Sequence, residues 1–118
     1  KNILKIAGSC KHTIFLVENN KESLVLSTGI GETGCLGHNI CKNTNLKIIS
    51  ELKKKIIIDI SAGNKFSMAL SNHGEIFVFG ENKNFQLGNY KINDLNYINT
   101  YMPEELKYLT NFKFKINY

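Results

Sequence analysis

Arginine is absent from the 118-residue chain, whose 15 basic residues are all lysine and outnumber 10 acidic ones to give a net charge of +5. The planar guanidinium is the usual group for bidentate contacts to phosphate and guanine, whereas lysine is a hydrated point charge. Sequence-specific nucleic-acid readout is therefore disfavoured. Asparagine (16) and isoleucine (15) are as frequent as lysine, a bias that AT-rich codons alone would produce, so basicity is weak evidence for a polyanion partner. Proline occurs once, at Pro103, and with 42% hydrophobic and 21% charged residues the composition is that of a folded chain rather than a disordered one. Long apolar runs are also missing. Ile56-Ile57-Ile58 is cut short by Asp59, far below the ~20 residues a membrane helix needs, so no membrane association is expected. The opening Lys-Asn-Ile-Leu carries neither methionine nor a signal-peptide pattern. The stretch is expected to be excised from a longer protein.

Cysteine is sparse and odd in number, at Cys10, Cys35 and Cys41. That count, without a secretory signal, favours a reducing compartment, intracellular and either nuclear or cytoplasmic. The densest charge run, Lys53-Lys54-Lys55 ahead of Ile56, reads as a solvated loop with gatekeeper charges beside a sticky strand.

What the chain does contain is a repeat. Ile6 to Leu16 aligns with Ile60 to Leu70 at an offset of 54, and Gly29 through Leu36-Gly37 aligns with Gly80 through Leu87-Gly88 at 51. The first copy carries three extra residues within 18–23, where the second has only Asn72-His73-Gly74. A length change in a polar turn is what a surface hairpin tolerates. Residues 66–71 and 75–79 are rich in aromatic and β-branched side chains around that turn and predict an antiparallel hairpin. Residues 57–62 precede it and look apolar on both faces, predicting a strand buried within a core and ended by Gly63. A fourth strand is expected over residues 46–50. Its counterpart, residues 103–109, opens with proline and two glutamates and equally suits one or two helical turns.

A repeat of about 50 residues, built of short strands with glycines at fixed offsets, belongs to the propeller and solenoid class. Within it, Ile60-Ser61-Ala62-Gly63, Ser67-Met68-Ala69-Leu70, Gly74 to Gly80, and Asn82 to Gln86-Leu87-Gly88 resemble the repeat of the regulator of chromosome condensation family. The first copy keeps His12-Thr13, Gly29, Gly34 and Leu36-Gly37. It departs with Ser9 for glycine, Thr28 for the aromatic and Cys35 for glutamine. The second copy departs with Phe66 for histidine and Phe85 for glycine. The resemblance implies an all-β fold, two blades of a propeller of about seven. Residues 1–56 form the first, 57–111 the second, and 112–118 the start of a third. Gly29, Leu36, Gly37, Gly63, Gly80, Leu87 and Gly88 are the expected structural positions of the repeat.

Chemistry-bearing patterns are weak. Gly29-Ile30-Gly31-Glu32-Thr33-Gly34 satisfies Gly-x-Gly-x-x-Gly, but a dinucleotide fingerprint needs a helix to open there, and glycines at 31, 34 and 37 prevent one. No cofactor is expected. Cys35, His38 and Cys41, with Cys10 or His12, contain zinc-type donors, yet no Cys-x-x-Cys knuckle is present, so Cys35 is read as a small buried hydrophobe and no metal is expected. His12 stands opposite Phe66 in the repeat and is read as structural; His73 falls in a turn and is read as solvated. No catalytic constellation emerges. The expected function is a non-catalytic protein-interaction scaffold, with the variable loops over 18–23 and 89–102 as contact sites. The resemblance implies an alternative, part of a guanine-nucleotide exchange factor for a Ran-type small GTPase with chromatin association. An isolated pair of blades is also expected to self-associate through its bare faces.

Overall fold

The computed structural model describes residues 2–39, 42–89 and 99–107. Among the described residues, eight strands form two separate four-stranded antiparallel sheets, each a simple meander. In the first, β1 (Asn2–Gly8), β2 (His12–Asn19), β3 (Glu22–Gly29) and β4 (Thr44–Ile48) lie in sequence order. In the second, β5 (Ile57–Gly63), β6 (Phe66–Ser71), β7 (Ile76–Gly80) and β8 (Thr100–Glu105) repeat that order. A 3-10 turn, Ser50–Leu52, leads from one sheet to the other.

The repeat extends to irregularities. Pairing of β1 with β2 slips between Ile3 and Lys5, and pairing of β5 with β6 slips between Ile57 and Asp59, at the same repeat position. Ile49 N–H bonds Val25 O at 2.7 Å and Leu106 N–H bonds Ile76 O at 2.8 Å, again equivalent. Bulges kept at matching places are features of the unit rather than defects.

The main core lies between the sheets. Ile14, Leu16 and Val25 of the first sheet pack with Ile57, Ile60, Ala69, Phe77 and Phe79 of the second. Period-two alternation explains the choice: in β2 the even-numbered residues face the second sheet, while Thr13, Phe15 and Val17 point to the other side and are half-buried. In β6 the sense is complementary. Ser67, Ala69 and Ser71 are buried against the first sheet, and Phe66, Met68 and Leu70 face away. Each sheet thus has a leading and a trailing face, and the leading face of one covers the trailing face of the next.

One open expectation is decided and two are corrected. Of residues 103–109, which suited a strand and a helix equally, 103–105 complete strand β8 and Lys107 is helical; β8 is the last strand of its sheet, where the N–H missing at Pro103 costs no ladder bond. Residues 107–109 extend past Leu106, of which 108 and 109 lie outside the described residues. Strand β5 is not buried on both faces: Ile57 and Ile60 are buried but Ile58 is exposed at the bulge. The extra length of the first copy lengthens the hairpin itself. β2 and β3 pair out to Asn19–Glu22 and close through Asn20 and Lys21, both at positive φ (50° and 69°), the two-residue turn that matches strand twist. The second copy turns through Asn72, His73 and Gly74 at φ 81°. The expected start of a third unit, 112–118, lies outside the described residues.

Candidate functional site: the junction between the sheets and its two rims

The junction is where the chemistry-bearing side chains collect. Ser67 Oγ–H donates to Cys35 O at 2.9 Å, so its oxygen accepts from His12 Nε2–H at 2.8 Å. That fixes the tautomer: Nδ1 carries the lone pair and accepts from Ser9 Oγ–H at 2.9 Å. A continuous relay, Ser9 to His12 to Ser67 to the Cys35 carbonyl, therefore stitches first sheet to second and back again. His12 is buried, and burial lowers its pKa, offset in part by a backbone contact at Phe66. A neutral imidazole is what this relay requires.

A second histidine is held alike. Ser27 Oγ–H donates to Leu36 O at 2.7 Å and its oxygen accepts from His38 Nε2–H at 2.8 Å. Burial and the nearby Lys47 charge lower the His38 pKa. The turn Cys35–Leu36 is thus pinned from both sheets, its two carbonyls taken by Ser67 and Ser27. Leu36 and its counterpart Leu87 are buried. Cys35 is buried, its thiol donates to Ile30 O at 3.2 Å, and burial raises its pKa, which favours the protonated thiol, a poor nucleophile. Cys10 is exposed and free, and Cys41 lies outside the described residues. No group of three or more metal-type side chains occurs among the described residues.

Other bonds cross the same junction. Ser23 Oγ accepts from Ile57 N at 2.7 Å, Thr33 Oγ donates to Lys65 O at 3.2 Å, and Asn39 N–H donates to Tyr101 O at 2.9 Å. Lys5 pairs with Asp59, residues at one repeat position in the two copies. Cys10 Sγ and Asn64 Oδ1, also equivalent, are 3.6 Å apart. Equivalent positions side by side mean that the second sheet follows the first by a rotation about an axis near β1 and β5.

The repeat glycines take three forms. Gly29 and Gly80 share φ 124°, and an added Cβ would come within 2.4 Å of Lys11 O and 2.5 Å of Lys65 O. Gly37 and Gly88 sit at φ 73° and 69°. Gly63 has no such φ; its space is filled by the Phe66 ring, 2.2 Å from where a Cβ would stand. Gly29 to Gly34 leads into turns, with Gly34 N–H bonding Gly31 O at 3.0 Å, and no helix opens there.

The connections fall on two rims. The β1–β2, β3–β4, β5–β6 and β7–β8 connections share one rim, and the β2–β3 and β6–β7 turns lie on the other, as alternation within a meander requires. The two loops expected as contact sites, 18–23 and 89–102, differ in rim: 18–23 is on the second, while Asn89 and Asn99 are on the first, residues 100–102 belong to β8, and 90–98 lie outside the described residues. The lysine run lies on the second rim. Lys53 and Lys54 are exposed, while Lys55 pairs with Glu75 at 2.7 Å and lies 5.9 Å from the Phe77 ring. Glu75 also accepts from Ser71 Oγ–H at 2.9 Å, and the Lys55 contact holds its pKa below the ordinary carboxylate value. His73 is exposed in its turn. Sequence reasoning missed the roles of Ser9, Ser67 and Ser27. The signal was the pairing of His12 in one copy with a hydroxyl at the position after it in the other.

Two meander sheets stacked by rotation, face over face, are blades of a β-propeller. The regulator of chromosome condensation (RCC1) repeat matches residues 57–86. Protein RCC2 of Homo sapiens is 34% identical over 85 residues, covering 70% of this chain and 16% of that protein. The RCC1 domain-containing protein RUG3, mitochondrial, of Arabidopsis thaliana is 36% identical over 109 residues, covering 92% and 23%. The crystal structure of Prp20p from Saccharomyces cerevisiae superposes with a TM-score of 0.71 at 21% identity, over 87% of this chain and 26% of that one; at that identity the likeness shows the fold. The chain belongs to the regulator of chromosome condensation repeat family, as two of its blades. It spans under a quarter of the length of these curated relatives.

Proposed function

We propose that this chain is part of a non-catalytic protein-interaction scaffold, with residues 1–56 and 57–111 as its two repeat units and the rims as its contact surfaces. One observation carries the reading. The buried polar residues His12, Ser23, Ser27, Thr33, Ser67, Ser71 and Asn82 are engaged in bonds that hold turns and blades together; among the described residues Thr44 Oγ1, at the start of β4, is the buried side-chain oxygen without a partner. Groups spent in this way are structural, and they leave recognition to the loops that a rigid scaffold displays. Gly29, Gly37, Gly63, Gly80 and Gly88, with Leu36 and Leu87, are assigned to that scaffold. Among the described residues no helix is long and apolar enough to cross a membrane. The free Cys10 and Cys35 support an intracellular setting, nuclear or cytoplasmic, although one relative's name places it in mitochondria. The open outer faces of the pair make self-association an expected property of the isolated chain.

The alternative, part of an exchange factor for a Ran-type GTPase with chromatin association, is supported by the likeness to Prp20p, whose structure is described with its binding to Gsp1p and histones. Exchange requires a surface that binds the nucleotide-free GTPase better than the loaded form, and two blades offer a small part of a ring. In a fluorescent-nucleotide release assay with a Ran-type GTPase, this chain is expected to leave the release rate unchanged. Acceleration would overturn the scaffold reading.

A further inference from the structure

The two long connections on the first rim are built unequally. Residues 81–99 join β7 to β8 and residues 30–43 join β3 to β4, so the second copy's connection is five residues longer. Gly80 and Gly88 follow Gly29 and Gly37 at the one offset of 51, and Thr100 pairs with Gly80 as Thr44 pairs with Gly29. All the added length therefore lies between Gly88 and Thr100. Both copies keep one bond at the base: Gly31 N–H donates to Asn43 Oδ1 and Asn82 N–H donates to Asn99 Oδ1, each at 3.2 Å.

The side chains at those two positions differ. Gly31 has none, and the returning chain takes the space, with Lys42 O 2.2 Å from where a Cβ would stand. Asn82 is 4% exposed. Its Oδ1 accepts from Leu87 N–H at 3.3 Å, and its Nδ2–H donates to Asn89 Oδ1 at 2.9 Å. Asn89 Nδ2–H in turn donates to Thr100 Oγ1 at 3.5 Å. In the first copy the equivalent hydroxyl, Thr44 Oγ1, is buried without a partner. A primary amide both donates and accepts, so the Asn82 side chain holds the outgoing end at Leu87 and Asn89 while its own backbone holds the returning end at Asn99.

We propose that Asn82 is the positioning residue of the β7–β8 connection: with Asn89 and Asn99 it fixes where the chain leaves the second blade and where it rejoins it. Residues added between those points are then presented from a closed base, and the start of β8 stays seated on β7. Added length costs little once the ends are held, because closure entropy grows only with the logarithm of loop length. Every member of the clamp belongs to the second blade. That the presented residues make partner contacts rests on the scaffold reading above; the clamp does not, and its test needs no partner.

Amide hydrogen exchange of the whole chain, followed residue by residue by NMR, separates positioning from ordinary core packing. In Asn82→Ala, the amides of residues 87–89 and 99–105 are expected to exchange about tenfold faster, the factor that one net hydrogen bond is worth, while residues 66–80 and the first blade keep their rates. Asn99→Ala leaves the Asn82 side chain in place and releases only the returning end. It is expected to speed exchange over 99–105 and to leave 87–89 unchanged. Unaltered exchange over 99–105 in either variant would overturn the proposal, and so would a rise of equal size across β5, β6 and β7, the response of a residue that merely supports the core.

Discussion

The same place in the repeat is built in two ways. In the first blade, Ser9 and His12 join a hydrogen-bonded relay that reaches Ser67 and the Cys35 carbonyl. In the second, Gly63 and Phe66 stand at those positions, and the Phe66 ring lies where a side chain at 63 would be, packed beside Val78, Leu87 and Leu106. The backbone around them is unchanged: Ile30 N–H bonds Lys11 O at 2.9 Å, and Glu81 N–H bonds Lys65 O at 2.8 Å. Positions that shape a blade are shared by the copies, and positions that join a blade to its successor are free to differ.

If that division is right, the largest effect comes from a shaping position. Gly80→Val forces a side chain into φ 124° and against Lys65 O and the Phe66 Cα, 2.5 and 2.6 Å from the new Cβ. Strain of roughly 1–3 kcal/mol adds to overpacking of roughly 1–3 kcal/mol. Urea denaturation should show the loss as a lowered midpoint, and Gly29→Val should match it. An unchanged midpoint for either would remove the claim that these glycines shape the blade.

A joining position should matter less and on one side only. His12→Ala strands Ser67 and Ser9 in the junction and is expected to cost about 1–3 kcal/mol, the price of leaving a buried polar group without its partner. Phe66→Ala removes an aromatic ring that borders the open face and cannot disturb the relay. Thermal melts of His12→Ala with and without Ser67→Ala separate the terms: the second change should cost little once the first is made. Additive losses would show that the relay does not act as a unit.

The smallest effect is graded with pH. His12 and His38 have folded pKa values below the ordinary 6.5, chiefly through burial. The unfolded chain therefore takes up protons first, so stability is full above 6.5 and falls as pH drops below it towards the folded values. His12 is faced by Ser9 and Ser67, and His38 by Ser27 and Lys47. The melting temperature should decline over that window, and His12→Phe, the residue of the other copy, should flatten the decline. A melting temperature that rises on acidification through this range would contradict the neutral-histidine relay.

Much of the blade was legible because a repeat reports itself twice. The offsets of 54 and 51 located the turns, the hairpins and the paired glycines before any coordinate. What stayed hidden depends on contacts across the junction. Nothing local to Pro103 and two glutamates distinguishes an edge strand from a helix entry; pairing with β7 decides it. Ile58 reads as core until the bulge turns it outward. His12 is the sharpest case, since comparison with Phe66 identified it as structural but could not supply its partner, a serine 55 residues away.

The central claim is that equivalent positions of the two copies lie side by side around one axis. Cys10 and Asn64 test it directly, because their side chains are 3.6 Å apart on one rim while Asn72 lies on the other. Asn64→Cys, oxidised and mapped by peptide mass spectrometry, should give an intrachain disulfide between positions 10 and 64, and Asn72→Cys should give none with Cys10. A Cys10 bridge to position 72, or no bridge to position 64 under conditions that oxidise exposed thiols, would contradict the stacking of the two blades.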